Sequence, residues 1–288
     1  MASVFGVGIA TVDIINCVAT FPKEDSEVRA ISQHTCRGGN VCNTLTVLSQ
    51  LGHKCYWSGV ICSDSDSHYI LDDLRKHNID YSNVQNLASG KVPTSYITLN
   101  QENGSRSIVH YRDLPELSYA YFKTLKLPKC DWYHFEARAI NETLLMVKHV
   151  RNTYPEAKIS IEIEKQREDL DKIFNIADLY LFSHAFANTN NFDSPDEFLK
   201  QQKIVSPTSD LTCTWGDQGA AALLVDGTLL HSPAFPPKKI VDTLGAGDTF
   251  NAAIIHGLMN ELDWQEFLRS ACKLAGKKCG QQGFSHLL

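Results

Sequence analysis

A carboxylate set among small residues at the start of an apolar helix is the pattern in this chain best suited to chemistry. It occurs in Asp242-Thr243-Leu244-Gly245-Ala246-Gly247-Asp248-Thr249-Phe250-Asn251, which runs into Ala252–Met259. Small residues at 245–247 let the backbone approach a ligand, and the first N–H groups of a helix have no internal partner. Those donors and the helix dipole favour anionic oxygens. A carboxylate at Asp248 would repel a bound phosphate, so its place makes sense if it takes a proton from a hydroxyl attacking phosphorus. Taken alone, a Gly-rich helix start with an acidic first turn is also a common structural device. The segment is not a dinucleotide fingerprint, because Phe250 stands at the third glycine position. Neither Gly90-Lys91-Val92 nor Gly276-Lys277-Lys278 completes a Walker A loop.

A second constellation, Arg37-Gly38-Gly39-Asn40-Val41-Cys42-Asn43, opens another helix. Asn40 and Asn43 are three apart, so their amides project from one side of the first turn. Two amides beside glycine N–H groups form an uncharged polar grip suited to hydroxyls, while an Asn N-cap after a Gly-Gly turn explains the same residues structurally. Asp13, just past the first strand, either faces solvent across an alternating strand or binds polyol hydroxyls. Three cations stand where an anion could be met. Arg106 is on the second arm of a hairpin, Arg138 follows the strand Trp132–Phe135, and Lys165 follows Ile159–Ile163. Ligands of open α/β sheets collect at the carboxyl ends of strands, which favours Arg138 and Lys165; Arg106 needs its hairpin to fold over the site. Each could equally be a solvated surface charge. Gly216-Asp217-Gln218-Gly219 forms a turn after a late strand, open to an adenine or phosphate contact.

The elements that must hold these residues alternate along the chain. Val4–Ile9, Cys55–Val60, Trp132–Phe135, Ile159–Ile163, Leu179–Phe182 and Leu211–Thr214 read as strands, mostly apolar on both faces. Helical patterns cover Asn40–Leu51, His68–His77, Glu142–Asn152, Ala246–Met259 and Trp264–Lys278. This alternation predicts an α/β fold with a mainly parallel central sheet covered on both faces. Two stretches break the rhythm. Thr11–Gln33 lacks a convincing helix, and Thr94–Asn100 with Ser105–Tyr111 alternate about Asn103-Gly104, a strong hairpin signal. They read as a small antiparallel sheet standing off the main body, a lid or an interaction surface.

Composition narrows the function. The 288 residues are 43% apolar and 21% charged with a formal net charge of −6, which gives no electrostatic grip for nucleic acid or an anionic membrane. No apolar run reaches the ~18 residues of a membrane span. The N-terminus lacks the marks of a secretory signal, and nine cysteines without a C-x-x-C pair point to reduced thiols in the cytoplasm. Eleven histidines show no metal-ligand spacing.

Taken together and in this order, the Gly-Gly-Asn and Asp-Thr-x-Gly-Ala-Gly-Asp segments resemble the two signatures of the ribokinase-like carbohydrate kinases. Within that family the chain resembles the kinases of ketohexoses along essentially its whole length, through Phe21–Glu27, Arg37–Asn40, Glu162–Lys165, Phe235–Pro237, Val241–Ala252 and Ala275–Gly280. The resemblance implies a single three-layer domain over 1–288 with a β-sheet lid from about 11–36 and 93–118. It implies ATP-dependent phosphorylation of the C1 hydroxyl of a ketohexose such as fructose, with Asp248 as base and the N–H groups of Gly245, Ala246 and Gly247 as anion hole. Asp13, Gly39, Asn40 and Asn43 match sugar contacts, and Arg138 and Lys165 further active-site positions. Arg106 matches a nucleotide-phosphate contact, and Gly216, Asp217, Gln218 and Gly219 the adenosine side. Magnesium would come with the nucleotide, potassium would act near the Asp242 loop, and two copies would pair through the lid as a homodimer. Where many relatives carry Asn-x-x-Glu, this chain has Ser183-His184-Ala185-Phe186, which leaves the metal's protein contacts unassigned. A kinase of another sugar or of a nucleoside, or a catalytically silent sugar-binding homologue, stays open as an alternative.

Overall fold

The computed structural model describes residues 1–288. In chain order its strands are β1 (Ser3–Val7), β2 (Thr11–Val18), β3 (Ser32–Gly38), β4 (Lys54–Ser58), β5 (Val60–Cys62), β6 (Ile79–Asp80), β7 (Gln85–Leu87), β8 (Thr94–Asn100), β9 (Arg106–Tyr111), β10 (Trp132–Glu136), β11 (Lys158–Ile163), β12 (Leu179–Phe182), β13 (Asp210–Thr214), β14 (Ala220–Leu223) and β15 (Leu229–Ser232). The helices are α1 (Asn40–Gln50), α2 (Ser65–Lys76), α3 (Tyr119–Phe122), α4 (Ile140–Thr153), α5 (His184–Thr189), α6 (Pro195–Val205), α7 (Ala246–Met259) and α8 (Trp264–Cys279).

Nine strands form the main sheet in the order β15-β14-β13-β12-β11-β10-β1-β4-β6. All neighbours from β13 to β6 are parallel, and β14 and β15 extend the edge antiparallel. The parallel strands are buried on both faces because helices cover both, and every residue of β10 and β12 is buried, the polar His134 and Glu136 included. Helices α1, α7 and α8 pack in succession, α1 also on β1 and β4 and α8 on β14 and β15, while α6 packs on β13 and β14. From β1 the chain moves one way to β4 and β6, then returns to place β10 on the other side of β1. A crevice opens at such a reversal beyond the carboxyl ends of the strands, and ligands of open α/β sheets collect there.

A second sheet, ordered β3-β2-β8-β9, rises beside this crevice. Strands β2 and β8 are parallel, and the other two pairings are antiparallel. The β8–β9 hairpin turns at Asn103-Gly104 as its sequence demands, with the Ser105 N–H bonded to Asn103 Oδ1 at 2.9 Å. The unhelical stretch after β1 resolves into β2 and β3, joined by residues 19–31 without regular structure. Strand β3 runs straight into α1, so the second sheet and the crevice share a continuous backbone. Helices α5 and α6 and strands β14 and β15 are additions that the periodicity did not reveal. Helix α2 starts at Ser65, earlier than the His68 suggested by its apolar pattern, because Asp64 caps it by accepting from the Ser67 N–H at 2.7 Å. All nine cysteines are free.

Candidate active site

Gly245 takes the N-cap of α7 with φ +78°, a left-handed conformation, and offers no side-chain cap. A Cβ there would overlap the ring of Phe284. Ala246 spends its N–H on the Thr243 carbonyl at 3.3 Å, while the N–H groups of Gly245, Gly247 and Asp248 find no partner within the protein. The free donors at this end are therefore 245, 247 and 248; of the 245–247 set expected, the Ala246 N–H is the one engaged within the loop, and the Asp248 N–H is added. Lys278, its side chain fully buried, ties the base of the loop by reaching Asp242 Oδ2 at 2.8 Å and the Asp242 carbonyl at 3.1 Å. Leu244 N–H adds a bond to Asp242 Oδ1 at 2.9 Å.

Asp248 is 7% exposed, in the first turn of α7. Its Oδ2 accepts from Asn43 Nδ2 at 2.7 Å, and Thr44 Oγ1 donates to its carbonyl at 3.3 Å. Burial pushes the Asp248 carboxyl up to about 7; the Asn43 bond opposes this, the charges of Glu164 and Glu136 add to it, and Arg37 opposes it. Helix α1 is capped by Gly39 with no side-chain cap bond, so no asparagine side chain is spent at its N-terminus. Gly39 has φ +105°, and a Cβ on it would overlap the Ile9 carbonyl oxygen. Asn40, freed from capping, directs its amide to Glu162 Oε1 at 3.1 Å and Glu164 Oε2 at 3.3 Å.

The carboxyl ends of β10 and β11 bring further charge. Glu136 Oε2 accepts the Ile9 N–H at 3.1 Å across the β1–β10 crevice, and its Oε1 pairs with Arg138 Nη1 at 3.1 Å. Arg138 Nε reaches Glu116 Oε1 at 2.6 Å, and Glu116 also pairs with Arg112. Burial raises Glu136 despite Arg138. Burial also raises Glu162 well above the usual carboxylate range, helped by the charges of Asp248, Glu136 and Glu164. Glu162 Oε2 is buried without a partner, and a protonated carboxyl is the form burial favours there. Three buried acidic groups, Asp248, Glu136 and Glu162, thus crowd together with Glu164 at their edge, and the buried three cannot all be ionised at once at little cost.

The second sheet contributes from above. Asp13, half-buried on β2, accepts from Thr11 Oγ1 at 2.8 Å, and burial raises its carboxyl against the bonds from Thr11 and Ser95. It is neither the solvent-facing strand residue nor a free charge. Arg106, on β9, folds over the α7 loop and donates to Thr243 Oγ1 at 2.9 Å, so the hairpin makes the reach that the sequence required of it. Arg138 is a paired, largely buried cation rather than a solvated one. Lys165 stays 62% exposed beside Glu164 at 3.3 Å. Gly216, Asp217, Gln218 and Gly219 form one tight turn after β13, with φ +62° at Gly216 and +101° at Gly219. No group of three or more His, Cys, Asp or Glu side chains is arranged to hold a metal ion.

Sequence reasoning passed over Arg37, Glu136, Glu162 and Glu164 as chemistry. The signal for the glutamates was present: a carboxylate inside or just past an otherwise apolar strand, at its carboxyl end, has either a solvent path or a task.

Comparison with known proteins identifies the family. The profile described as pfkB family carbohydrate kinase matches residues 1–287. The chain is 39% identical to mouse ketohexokinase over 290 residues, covering 98% of this chain and 97% of the mouse protein. It is 24% identical to the fructosamine kinase FrlD of Bacillus subtilis, covering 85% of this chain and 84% of that one. Among solved structures, ribokinase from Giardia lamblia superposes with a TM-score of 0.85 at 18% identity, over 100% of this chain and 96% of that one. Arabidopsis thaliana ribokinase complexed with ribose and ATP gives 0.77 at 18% identity, over 98% and 94%.

Proposed function

The chain belongs to the pfkB family of carbohydrate kinases, and from that premise we infer that it transfers the γ-phosphoryl group of ATP to the C1 hydroxyl of fructose. That it is an ATP-dependent sugar kinase follows from the family, and fructose as the sugar is supported by 39% identity to mouse ketohexokinase over nearly the full length of both chains. The observation that carries the chemistry is Asp248, buried at a helix N-terminus whose N–H groups at 245, 247 and 248 have no protein partner.

The proposed transfer runs through these groups. Phosphoryl transfer passes through a loose transition state with charge spread over the phosphoryl oxygens, so the protein mostly positions and stabilises. The free N–H groups steady the migrating phosphoryl oxygens, and Asp248 takes the hydroxyl proton late. Asp13, Asn40 and Asn43 hold the remaining hydroxyls and so choose which one faces phosphorus, with Gly39 giving the turn that points both amides inward. Glu136 with Arg138 belongs to the same grip, and Lys165 marks its outer rim. The Gly216–Gly219 turn borders the adenosine side.

Magnesium fits as a companion of the nucleotide phosphates rather than as a resident ion, since the side chains form no cage of their own; bound there, it would neutralise phosphate charge. Potassium near the Asp242 loop fits poorly, because Asp242 Oδ2 and its carbonyl already hold the Lys278 ammonium. Pairing of two copies through the lid is supported by Ile108, Val109 and Tyr111 on β9, which are 48%, 70% and 50% exposed. A monomer by light scattering at assay concentration would remove that part. Free thiols support a reducing, cytoplasmic setting.

A coupled ADP-release assay with fructose, ribose and adenosine tests the function. Fructose is expected to give the highest kcat/KM, with the product identified as the 1-phosphate by ³¹P–¹H NMR; preference for ribose or adenosine, or binding of sugar and ATP without product, would refute it. Arg106→Ala should raise the KM for ATP about tenfold with a smaller change for fructose, the scale of one charge-assisted phosphate contact. An unchanged nucleotide KM takes Arg106 out of the site.

A further inference from the structure

Asp248 does not set its own orientation. Its partner Asn43 is a primary amide, and turning it by 180° would present an oxygen where it now presents N–H. The other side of that amide faces Arg37, whose Nη1 donates to Asn43 Oδ1 at 2.8 Å. The same guanidinium donates through Nη2 to Thr46 Oγ1 at 2.8 Å and through Nε to Asp73 Oδ2 at 2.6 Å. Its side chain is 2% exposed.

We propose that Arg37 is a positioning residue for phosphoryl transfer, fixing the Asn43 amide between a donor-only guanidinium and an acceptor-only carboxylate and thereby fixing Asp248. This rests on the reading of Asp248 as base.

Three rigid elements converge on this one side chain. Arg37 ends β3 next to Gly38, Asn43 and Thr46 are on α1, and Asp73 is on α2. A planar guanidinium with five N–H groups can serve all of them at once; a lysine ammonium at the end of a flexible stem cannot. With Arg37 in place only one amide orientation satisfies both neighbours, because the opposite one sets Asn43 Oδ1 against the Asp248 carboxylate and its NH₂ against the guanidinium. Arg37 also contributes the one cationic influence among the leading groups acting on Asp248. The others that face it are Glu136 from β10 and Glu164 from just past β11, both acidic, with Glu162 of β11 beside them; α1 offers only the uncharged Asn43 and Thr44.

The experiment compares Arg37→Lys, Arg37→Met, Asp73→Asn and Asp248→Asn, reading kcat, both KM values and the pH profile with fructose. Arg37→Lys keeps the charge and loses the span, so kcat should fall about tenfold while the KM for ATP holds within about twofold and the acid limb stays in place. Arg37→Met removes the charge too, and the acid limb should also move to higher pH by about half a unit or more, because the lost cation had favoured ionised Asp248. Packing damage that admits water would relieve the burial of Asp248 and move that limb to lower pH instead. Asp73 is 25% exposed and outside the substrate grip, so Asp73→Asn tests the same anchor if the Arg37 variants do not fold, with kcat expected to fall about threefold. Wild-type kcat in Asp73→Asn and in any folded Arg37 variant, or an unmoved acid limb in folded Arg37→Met, overturns the proposal while Asp248→Asn remains inactive. An active Asp248→Asn overturns instead the reading beneath it.

Discussion

Asp248→Asn is expected to lower kcat for fructose by at least ~10², the scale of a removed general base, with the KM for ATP changed far less. The substitution is close to isosteric, and an amide oxygen can still accept from Asn43 Nδ2, which now bonds Asp248 Oδ2 at 2.7 Å. What it removes is the basic oxygen and a charge buried among Glu136, Glu162 and Glu164. Folding should not suffer. With its carboxyl pushed up to about 7 in the folded chain, Asp248 binds a proton more readily folded than unfolded, so its ionisation costs stability as pH rises from the usual carboxylate range through 7. At pH 8 the asparagine variant should therefore melt at or above the wild-type Tm while turnover collapses. The same ionisation governs the wild-type rate. A base must be deprotonated to act, so kcat/KM for fructose should climb through pH ~7 and flatten above it. A flat profile between pH 5.5 and 8, or near-normal turnover in the variant, would show that another group accepts the proton.

Gly39→Ala should cost stability and activity together. The residue has φ +105°, where an L side chain is strained, and an added Cβ would overlap the Ile9 carbonyl oxygen, which belongs to the main-chain run between β1 and β2 and cannot swing aside. Strain and overlap together are of order 3 kcal/mol, read as a lower denaturant midpoint with an unchanged m-value. Relief of the clash must push α1 away from β1. Asn40 and Asn43 move with it, so kcat/KM for fructose should fall more than tenfold, the usual scale for misplaced positioning groups. An alanine variant of normal stability and normal fructose kinetics would show that the turn tolerates a side chain and that its geometry does not set the sugar grip.

Much of this architecture was legible in local sequence. Leu179–Phe182 declares itself because a strand buried on both faces has no polar side to show; Ile159–Ile163 declares itself by its three alternate isoleucines, with Ser160 and Glu162 between them. Asn103-Gly104 names its hairpin through the positive φ that the turn needs, +72° at Gly104. The Gly-rich starts of α1 and α7 were visible for the same reason. What stayed hidden was decided by distance along the chain. Strand β14, an Ala-Ala-Ala-Leu run, has no β-branched residue and is a strand only because β13 and β15 flank it. Glu136 and Glu162 read locally as polar positions in strands, yet the β10–β11 register aligns them as neighbours, and the charges of both glutamates and of Asp248 act on one another. Arg37 was legible only as a flank of Gly-Gly; its partner Asp73 is 36 residues further on, beyond the range of any local pattern.

Asp13 and Arg106 sit on strands of one continuously hydrogen-bonded sheet. Fructose held by the first and ATP held by the second would each draw down the same body, so neither ligand could settle without easing the other's arrival. By thermodynamic reciprocity, the factor by which sugar tightens the nucleotide equals the factor by which nucleotide tightens sugar. Titrating a non-hydrolysable ATP analogue with and without fructose measures that factor, and a value of one would mean the strands flex independently. Such mutual recruitment would favour the complex that holds both substrates over ATP bound alone, the species from which futile hydrolysis would start.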